Sequence, residues 1–330
     1  MAKGTVIVTG ANGGLGSTIA KKLLSEPAYT DYHVLFTVRK VETATTLQGV
    51  LDAHKAKKGP GTIEVVACDL SSLASTRDVA NDINARVADG RLPPIRAIIE
   101  NAAYQEHSEQ NFSNDGFDMT FHATYLGHWL LTLKLLQSID KEIGRIVVVG
   151  SYAHDPLDRR TASMGIYAED KWKTLFPDAD SLAKGQFGGG VGLRRHELQP
   201  RLEADPALSR ISLSAVDPGA MPTSILRRGS FYYRFFVARV LIPLLTPVMA
   251  LFAENPLMRS TEKSATDLLN AAFSEDAPYG QHPKDLYFDG NALRETSAES
   301  RDKAKLKDLW TSSVRYTSLS KEETALTQWK

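Results

Sequence analysis

The sequence predicts an α/β fold in which one parallel β-sheet is covered by helices on both faces. Short apolar, β-branched runs alternate with longer segments of helical periodicity along the 330 residues. This alternation is typical of parallel strands joined by crossover helices. A glycine cluster also follows the first apolar run, where a strand would pass into a helix. No repeat or linker divides the chain, so we predict a single domain over residues 1–330.

The individual elements are predicted from these patterns in chain order. Residues 6–8 are the first strand, and the apolar stripe of residues 15–24 predicts the first helix. Further strands are predicted at residues 33–38, 62–67, 95–99, 145–149, 211–216 and 286–288. Further helices are predicted at residues 41–57, 72–87 and 117–136. We interpret residues 300–330 as a C-terminal tail.

The composition excludes some classes of protein. Lys plus Arg and Asp plus Glu number 39 each, which disfavours nucleic-acid binding because that needs a basic surface. The single cysteine, Cys68, excludes an internal disulfide and fits a reducing compartment, so we expect a cytoplasmic protein. No metal site is predicted, because the chain lacks a His, Cys and Asp cluster. The charge-free residues 240–253 are too short for a membrane span of about 20 residues, which leaves open a peripheral membrane contact.

Residues 9–16, Thr-Gly-Ala-Asn-Gly-Gly-Leu-Gly, predict a dinucleotide phosphate site. Glycine lets the backbone approach a pyrophosphate closely, and the following helix offers free N–H groups and a positive dipole end. No lysine follows the last glycine, so the segment is not a P-loop. The alternative is a glycine-rich turn without a ligand. With a phosphate site here, the predicted sheet is of the Rossmann-type, doubly wound kind.

Polar residues that follow the next strands extend this prediction. Arg39 ends the second strand, where an acidic residue would bind the ribose 2′-hydroxyl of NAD. An arginine suits a 2′-phosphate, so we predict NADP rather than NAD, the alternative being a solvated arginine. Asp69 follows the third strand, where its carboxylate can accept a hydrogen bond from the adenine amino group. Asn101 follows the fourth strand, at the edge where ligands bind in open parallel sheets.

Five motifs occur in the order and spacing of a known family: residues 9–16, Asp69-Leu70, Asn101-Ala102-Ala103, Gly150-Ser151 and Pro218-Gly219. The chain thereby resembles the short-chain dehydrogenase/reductase family, in particular its retinol-dehydrogenase-like and fungal branches. The resemblance implies NADP-dependent hydride transfer to or from a carbonyl or alcohol, with a place in secondary metabolism and a homodimer as further options. It also implies these cofactor contacts: Gly10, Asn12, Gly14, Leu15, Gly16, Arg39, Asp69, Leu70, Asn101, Lys134, Met221 and Thr223.

The catalytic part of the resemblance is incomplete. The family uses a serine, which Ser151 matches, and a tyrosine whose pKa is lowered by a lysine one helical turn later. The family asparagine aligns with Thr124, and the usual Tyr-x-x-x-Lys stretch is missing before His196. The one literal match is Tyr167 with Lys171, which would share a face if helical. The alternatives are a plain strand-end serine and a coincidental match in a substrate-side loop.

The resemblance also implies that residues 231–259 form a substrate-side lid. Two functions remain open at this point. The first is an NADP-dependent oxidoreductase that acts on a lipophilic carbonyl or alcohol. The aromatic residues within 231–236 would suit such a substrate, although an ordinary packed helix pair explains them equally well. The alternative function is a nucleotide-binding pseudoenzyme that has lost its catalytic Tyr and Lys. Pro200 is predicted to interrupt the helix that follows the missing stretch.

Overall fold

The computed structural model confirms the α/β prediction, with a doubly wound sheet at the centre of a single domain. Eight strands form the sheet in the spatial order β3-β2-β1-β4-β5-β6-β7-β8. The structure describes residues 2–54, 61–105, 109–163, 167, 169–186, 195–221, 223, 242–251 and 253–330.

The strands run parallel from β1 to β7, and only the edge strand β8 is antiparallel to its neighbour. β1 pairs with both β2 and β4, so the direction of winding reverses there and a crevice opens at the carboxyl ends of the strands. The strands are β1 Thr5–Thr9, β2 His33–Val38, β3 Ile63–Ala67, β4 Ile95–Glu100, β5 Arg145–Val149, β6 Ser212–Asp217, β7 Lys284–Asp289 and β8 Ala292–Arg294.

The helices cover both faces of the sheet. Between α4 and α5 the segment His122–Leu126 is π-helical, so residues 119–135 form one continuous helical segment, as predicted. The helices are α1 Gly14–Ser25, α2 Thr45–His54, α3 Leu73–Ala88, α4 Met119–Phe121, α5 Gly127–Leu135, α6 Arg159–Ser163, α7 Ala179–Ala183, α8 Arg195–Ala204, α9 Ile242–Ala250, α10 Thr261–Phe273 and α11 Lys303–Thr317.

Two apolar cores lie on opposite faces of the sheet. Val6 and Val8 of β1 belong to the core beneath α1 and α10, whereas Ile7 belongs to the core beneath α3, α5, α8 and α11. Successive side chains of a strand point to opposite faces, so a strand covered on both sides must be apolar throughout. This explains why the central strands were recognisable as uninterrupted apolar runs.

Residues 300–330, the predicted C-terminal tail, pack against the rest of the domain. About half of this segment belongs to α11, whose Trp310 is 2% exposed and packs against Trp129 of α5, with 5.4 Å between ring centroids. The hydroxyls of Tyr125 and Ser313 lie 2.7 Å apart in the same interface. The apolar residues of α11 recur at helical spacing between lysines, so the charges masked an amphipathic helix.

Two further predictions concern the region after β5. Pro200 was expected to interrupt a helix, but α8 runs through it with Pro200 exposed at the surface. The predicted lid at residues 231–259 lies largely outside the described residues, which include only residues 242–251 and 253–259 of it. Within the part of the chain that is described, no helix is both long and apolar enough to cross a membrane.

Candidate active site

The glycine loop between β1 and α1 packs against the segment that follows β4. Gly10 has a φ of +66°, and a Cβ on it would lie 2.7 Å from the Cα of Ala102. A Cβ on Gly16 would lie 2.3 Å from the carbonyl oxygen of Gly10. Both positions therefore require glycine. The close packing brings the start of α1 and the end of β4 to one point of the crevice.

The start of α1 offers its backbone to a ligand. Its N-cap residue, Gly13, makes no side-chain hydrogen bond to the first turn, and no acidic residue lies in that turn. The first N–H groups of a helix lack partners within the helix and carry the positive end of its dipole. Leu15 contributes its backbone here, because its side chain is buried in the core beneath α1. The arrangement fits a pyrophosphate.

Thr223, which follows Met221 beyond β6, contacts the same loop. A Cβ on Gly14 would lie 2.9 Å from Cγ2 of Thr223, so these two residues are in contact. Met221 packs on the core beneath α1, and its carbonyl oxygen accepts a hydrogen bond from the N–H of Thr223 at 2.8 Å. The structure thus brings Thr223 to the glycine loop, although it lies about two hundred residues along the chain from it, and places Met221 on the core beneath α1.

Asn101 and Thr9 join the two loops by hydrogen bonds. The Nδ2 of Asn101 donates to the carbonyl oxygens of Thr9 (2.9 Å) and Gly10 (3.2 Å). The Thr9 hydroxyl accepts the N–H groups of Asn101 (2.9 Å) and Ala102 (3.0 Å). Asn101 therefore shapes the site with its amide, and any contact it makes with a cofactor must use the remaining amide oxygen.

His128 of α5 was not predicted, yet it completes this network. Its Nδ1 lies 3.1 Å from the carbonyl oxygen of Thr124, which can only accept, so Nδ1 carries the proton. Its Nε2 then accepts from the Thr9 hydroxyl at 2.8 Å. The Thr124 hydroxyl itself pairs with the backbone of Tyr104. No sequence motif signals the contact, because His128 and Thr9 are 119 residues apart.

The side of the crevice where adenosine was predicted to bind is formed by the ends of β2 and β3. The Asn12 Oδ1 accepts the N–H of Leu47 at 3.0 Å, which ties the glycine loop to α2. Arg39 is exposed directly after β2. The Oδ1 of Asp69 accepts from the N–H (3.0 Å) and hydroxyl (2.6 Å) of Ser71, which orients the carboxylate after β3. Leu70 is buried beside it.

Lys134 does not belong to this site, which corrects its predicted role. The side chain is 3% exposed, and its Nζ donates to Oε1 of Glu323 at 2.7 Å. The same Glu323 oxygen accepts from Nε of Arg77 at 2.9 Å. A buried ammonium group needs such a partner, so Lys134 holds the C-terminal segment to α5. The resemblance gave the residue a cofactor role because it could not show this distant partner.

Ser151 is exposed where the chain leaves β5. Its Oγ accepts the N–H of Ala153 at 3.1 Å, and its hydrogen remains available to donate. His154 does not form a Ser–His pair with this hydroxyl. Its Nδ1 lies 2.6 Å from the carbonyl oxygen of Ser151, and its Nε2 accepts the N–H of Ser297 at 3.1 Å. This arrangement argues against nucleophilic catalysis by Ser151.

Tyr167 reaches the segment that follows Ser151. Its hydroxyl donates to the carbonyl oxygen of Ala153 at 2.8 Å, two residues beyond Ser151. Burial, followed by the nearby Tyr152, raises the pKa of Tyr167 above its ordinary value. The predicted shared helical face with Lys171 does not form, because Tyr167 lies in a turn and residues 170–173 form a short 3₁₀ helix. The side chain of Lys171 lies outside the described residues.

The structure also bears on the reactivity of Cys68 and on possible metal ligands. Cys68 is buried in the core, and burial followed by the charge of Asp69 raises its pKa to about 12, so it is not a reactive thiol. Among the described residues, no group of three or more His, Cys, Asp or Glu side chains could hold a metal ion.

Comparison with known proteins identifies the family. The model for "short chain dehydrogenase" matches residues 4–169. The short-chain dehydrogenase iccH of Talaromyces variabilis is 40% identical over 366 aligned positions that cover 99% of both chains. The chain belongs to the short-chain dehydrogenase family. Retinol dehydrogenase 13 of Mus musculus is 27% identical, over 96% of this chain and 84% of its own length.

Solved structures of the family share the fold. A short-chain dehydrogenase of Burkholderia cenocepacia in complex with NADP has a TM-score of 0.55 and 17% identity, and covers 87% of this chain and 96% of its own. The angucycline C-6 ketoreductase LanV with bound NADP has a TM-score of 0.54 and 17% identity, and covers 91% and 96%. The relatives named here are dehydrogenases and a reductase, so these comparisons give no support to the pseudoenzyme alternative.

The alignment with the Talaromyces relative also bears on the missing Tyr-x-x-x-Lys stretch. Its 366 aligned positions exceed the 330 residues of this chain by 36, so at least 36 positions hold no residue of this chain. A deletion in this chain or an insertion in the relative produces such an excess. The chain therefore belongs to the family although its sequence has no Tyr-x-x-x-Lys directly before His196.

Proposed function

We propose that the chain is an NADP-dependent oxidoreductase that transfers hydride to or from a lipophilic carbonyl or alcohol. The observation that carries this proposal is the closed packing of the glycine loop on the segment after β4. Gly10 and Gly16 leave no space for a Cβ, whereas the first turn of α1 is left uncapped. Such a turn is built to accept a phosphate group rather than to fill space.

The residues present fit a bound NADP(H). The first turn of α1 would bind the pyrophosphate, and the exposed Arg39 would bind the 2′-phosphate through its fixed fork of donors. Asp69 and Leu70 would line the adenine side, and Met221 with Thr223 would close the loop from the opposite side. When bound, the cofactor supplies or accepts the hydride.

The remaining chemistry is the movement of one proton at the substrate oxygen. The Ser151 hydroxyl can donate a hydrogen bond to that oxygen, because its hydrogen is not committed to the Ala153 contact. Tyr167 holds a phenolic proton near this point, and its raised pKa keeps it protonated near neutral pH. To give up the proton, Tyr167 must exchange the Ala153 carbonyl for the substrate oxygen. Lys171 would then favour the phenolate through its charge.

The first experiment measures cofactor binding. Titration with NADPH and with NADH, followed by nicotinamide fluorescence, should show saturable binding with NADPH favoured. Failure to bind either dinucleotide would remove the basis for the proposed function. A cytoplasmic location and a place in secondary metabolism are parts of the same proposal, the former supported by the lone, buried Cys68.

The second experiment measures proton transfer. With lipophilic ketones and aldehydes as substrates, Tyr167→Phe should lower kcat by about 10²- to 10⁴-fold. NADPH binding should stay unchanged in this variant. Tyr29→Phe is the matched control, because Tyr29 packs against Phe273 of α10. Equal rates for Tyr167→Phe and the parent would exclude Tyr167 as the proton donor and leave the cofactor site unaffected.

A further inference from the structure

A buried cluster of charges lies at the carboxyl ends of β6 and β7. It consists of Asp217 at the end of β6, Asp289 at the end of β7, Arg259 before α10 and Arg160 in α6. Asp217 and Arg259 are each 1% exposed. Removing charges from water is unfavourable unless each has well-placed partners. The partners of each buried charge therefore show which segments of the chain the cluster connects.

The carboxylate of Asp217 binds the backbone of two separate segments. Its Oδ2 accepts the N–H of Tyr152 at 3.1 Å, one residue after Ser151. Its Oδ1 accepts the N–H of Gly219 at 2.9 Å, in the segment that leads to Met221 and Thr223. One rigid group thus spans the candidate catalytic segment and the segment proposed to contact the cofactor.

Arg160 binds this carboxylate and also holds residues 152–160, the segment that follows Ser151. Its Nη1 lies 3.3 Å from Oδ2 of Asp217 and 3.1 Å from Oδ2 of Asp289. Its Nε and Nη2 bind the two oxygens of Asp158 at 3.0 and 2.8 Å. Its guanidinium also lies 4.5 Å from the ring centroid of Tyr152. Residues 152–160 are therefore fixed at both ends to the carboxyl ends of β6 and β7.

Arg259 fixes the cluster from the opposite side. Its Nη1 donates to the backbone oxygen of Asp217 at 2.8 Å, and its Nη2 donates to Oδ1 of Asp289. Its own N–H donates to the carbonyl oxygen of Ala220 at 2.9 Å. The segment after β6 is thus held by Arg259, and the segment after β5 is held by Arg160, with Asp217 between them.

We propose that Asp217 and Arg160 are positioning residues that set the placement of Ser151 relative to the segment of Gly219, Met221 and Thr223. They touch neither substrate nor cofactor and act through the backbone of Tyr152 and Gly219. The effect on catalysis rests on the proposed function, whereas the placement of Ser151 is independent of it. One test addresses the placement of Ser151, and a second test addresses catalysis.

The first test reports the position of residue 151 without any activity. A Ser151→Cys variant carries one accessible thiol, because Cys68 is buried with its pKa raised to about 12. A nitroxide spin label on the introduced thiol should give an immobilised spectrum, and Arg160→Gln in this background should add a mobile component. Arg210→Gln is the control, since Arg210 pairs with Glu142 at an exposed site. Identical spectra with and without Arg160→Gln would overturn the proposal.

The second test reports catalysis. Asp217→Asn keeps the shape of the side chain but can accept only one of the two N–H groups. It should lower kcat by about 100-fold, as expected for a small misplacement of a catalytic group. The KM for NADPH should change by less than about threefold. Arg160→Gln, in a partly exposed α6, should show the same split and serves if Asp217→Asn fails to fold.

Each outcome of the two tests has one meaning. A proportional loss of NADPH affinity and kcat in Arg160→Gln would contradict positioning of Ser151 and indicate general disruption. Absence of NADPH binding by the parent protein would instead remove the proposed function. The spin-label result would still decide whether Arg160 fixes residue 151.

Discussion

The cofactor side and the catalytic side of the candidate site are held together by different kinds of contact. On the proposed cofactor side, the loops are fixed by backbone packing at Gly10 and Gly16 and by hydrogen bonds from the side-chain amide of Asn101. On the catalytic side, the segment after Ser151 is held by long charged side chains, above all Arg160 and the buried Asp217. Both kinds of contact join segments far apart in the chain, but the glycines and Asn101 belong to recognisable motifs at strand ends, whereas the charged residues carry no such motif.

The largest expected effect breaks the backbone packing of the cofactor side. In Gly16→Ala the new Cβ would lie 2.3 Å from the carbonyl oxygen of Gly10 and 2.8 Å from Nδ2 of Asn101, so the loop, the start of α1 and Asn101 cannot keep their packing. We expect no detectable NADPH binding by fluorescence titration. Gly49→Ala in α2 is the control, because no atom lies within 4 Å of its added Cβ. Normal binding by Gly16→Ala would show that this packing is not needed for the site.

The next effect tests the connection between α5 and the C-terminal segment. Lys134→Met removes one of the two cations bound to Glu323, which keeps Arg77 as a partner and is 21% exposed. We therefore expect a loss of about 1–3 kcal/mol of unfolding free energy. Urea denaturation measures the loss. Lys21→Met should have little effect, since the Lys21–Glu262 pair is exposed. Equal stability of Lys134→Met and the parent would show that the pair contributes nothing net.

A smaller effect sharpens the assignment of the adenosine side. Arg39→Ser should weaken NADPH binding by about 10- to 100-fold, the usual contribution of charge-assisted hydrogen bonds, and leave NADH binding unchanged. Arg91→Ser is the control, because Arg91 pairs with Asp89 at an exposed site. If NADPH and NADH affinities fell equally, Arg39 would not select the 2′-phosphate.

The smallest effect concerns stability in acid. Burial raises the pKa of Glu323, but hydrogen bonds from Lys134 and Arg77 outweigh it and bring the pKa to about 2, below the ordinary 4.5. A carboxylate with a depressed pKa in the folded state stabilises the fold above pH 4.5, and this contribution is lost as the pH falls towards 2. Glu323→Gln should reduce the slope of stability between these values in pH-dependent urea unfolding. An unchanged slope would contradict the assignment.

The elements that the sequence predicted share a physical basis. β2 and β5 were placed at their observed residues, because a strand covered on both faces is an unbroken apolar run between turns. The helices α10 and α11 and the edge strand β8 were not predicted. In α11 two charged residues separate Leu306 from Leu309 and Trp310, and Trp310 packs against Trp129 of α5.

The residues of the candidate site likewise divide into those that the sequence predicted and those that it missed. The glycine loop and Asn101 come together as the sequence predicted, because strand order in a parallel sheet brings carboxyl ends to one edge. His128, Asp217 and Arg160 were missed, and Lys134 was misplaced, because each has a partner that lies between 57 and 189 residues away. Only the tertiary structure reveals such pairs.

The ion pair between Lys134 and Glu323 also bears on how the chain folds during synthesis. Glu323 lies 189 residues after Lys134, so at about 5–20 residues per second it leaves the ribosome roughly 10–40 s later. Until then the nascent chain carries Lys134 without its partner and an apolar α5 surface around Trp129 without its cover. The first half of the sheet must therefore either wait unfolded or persist as an intermediate that a chaperone can bind.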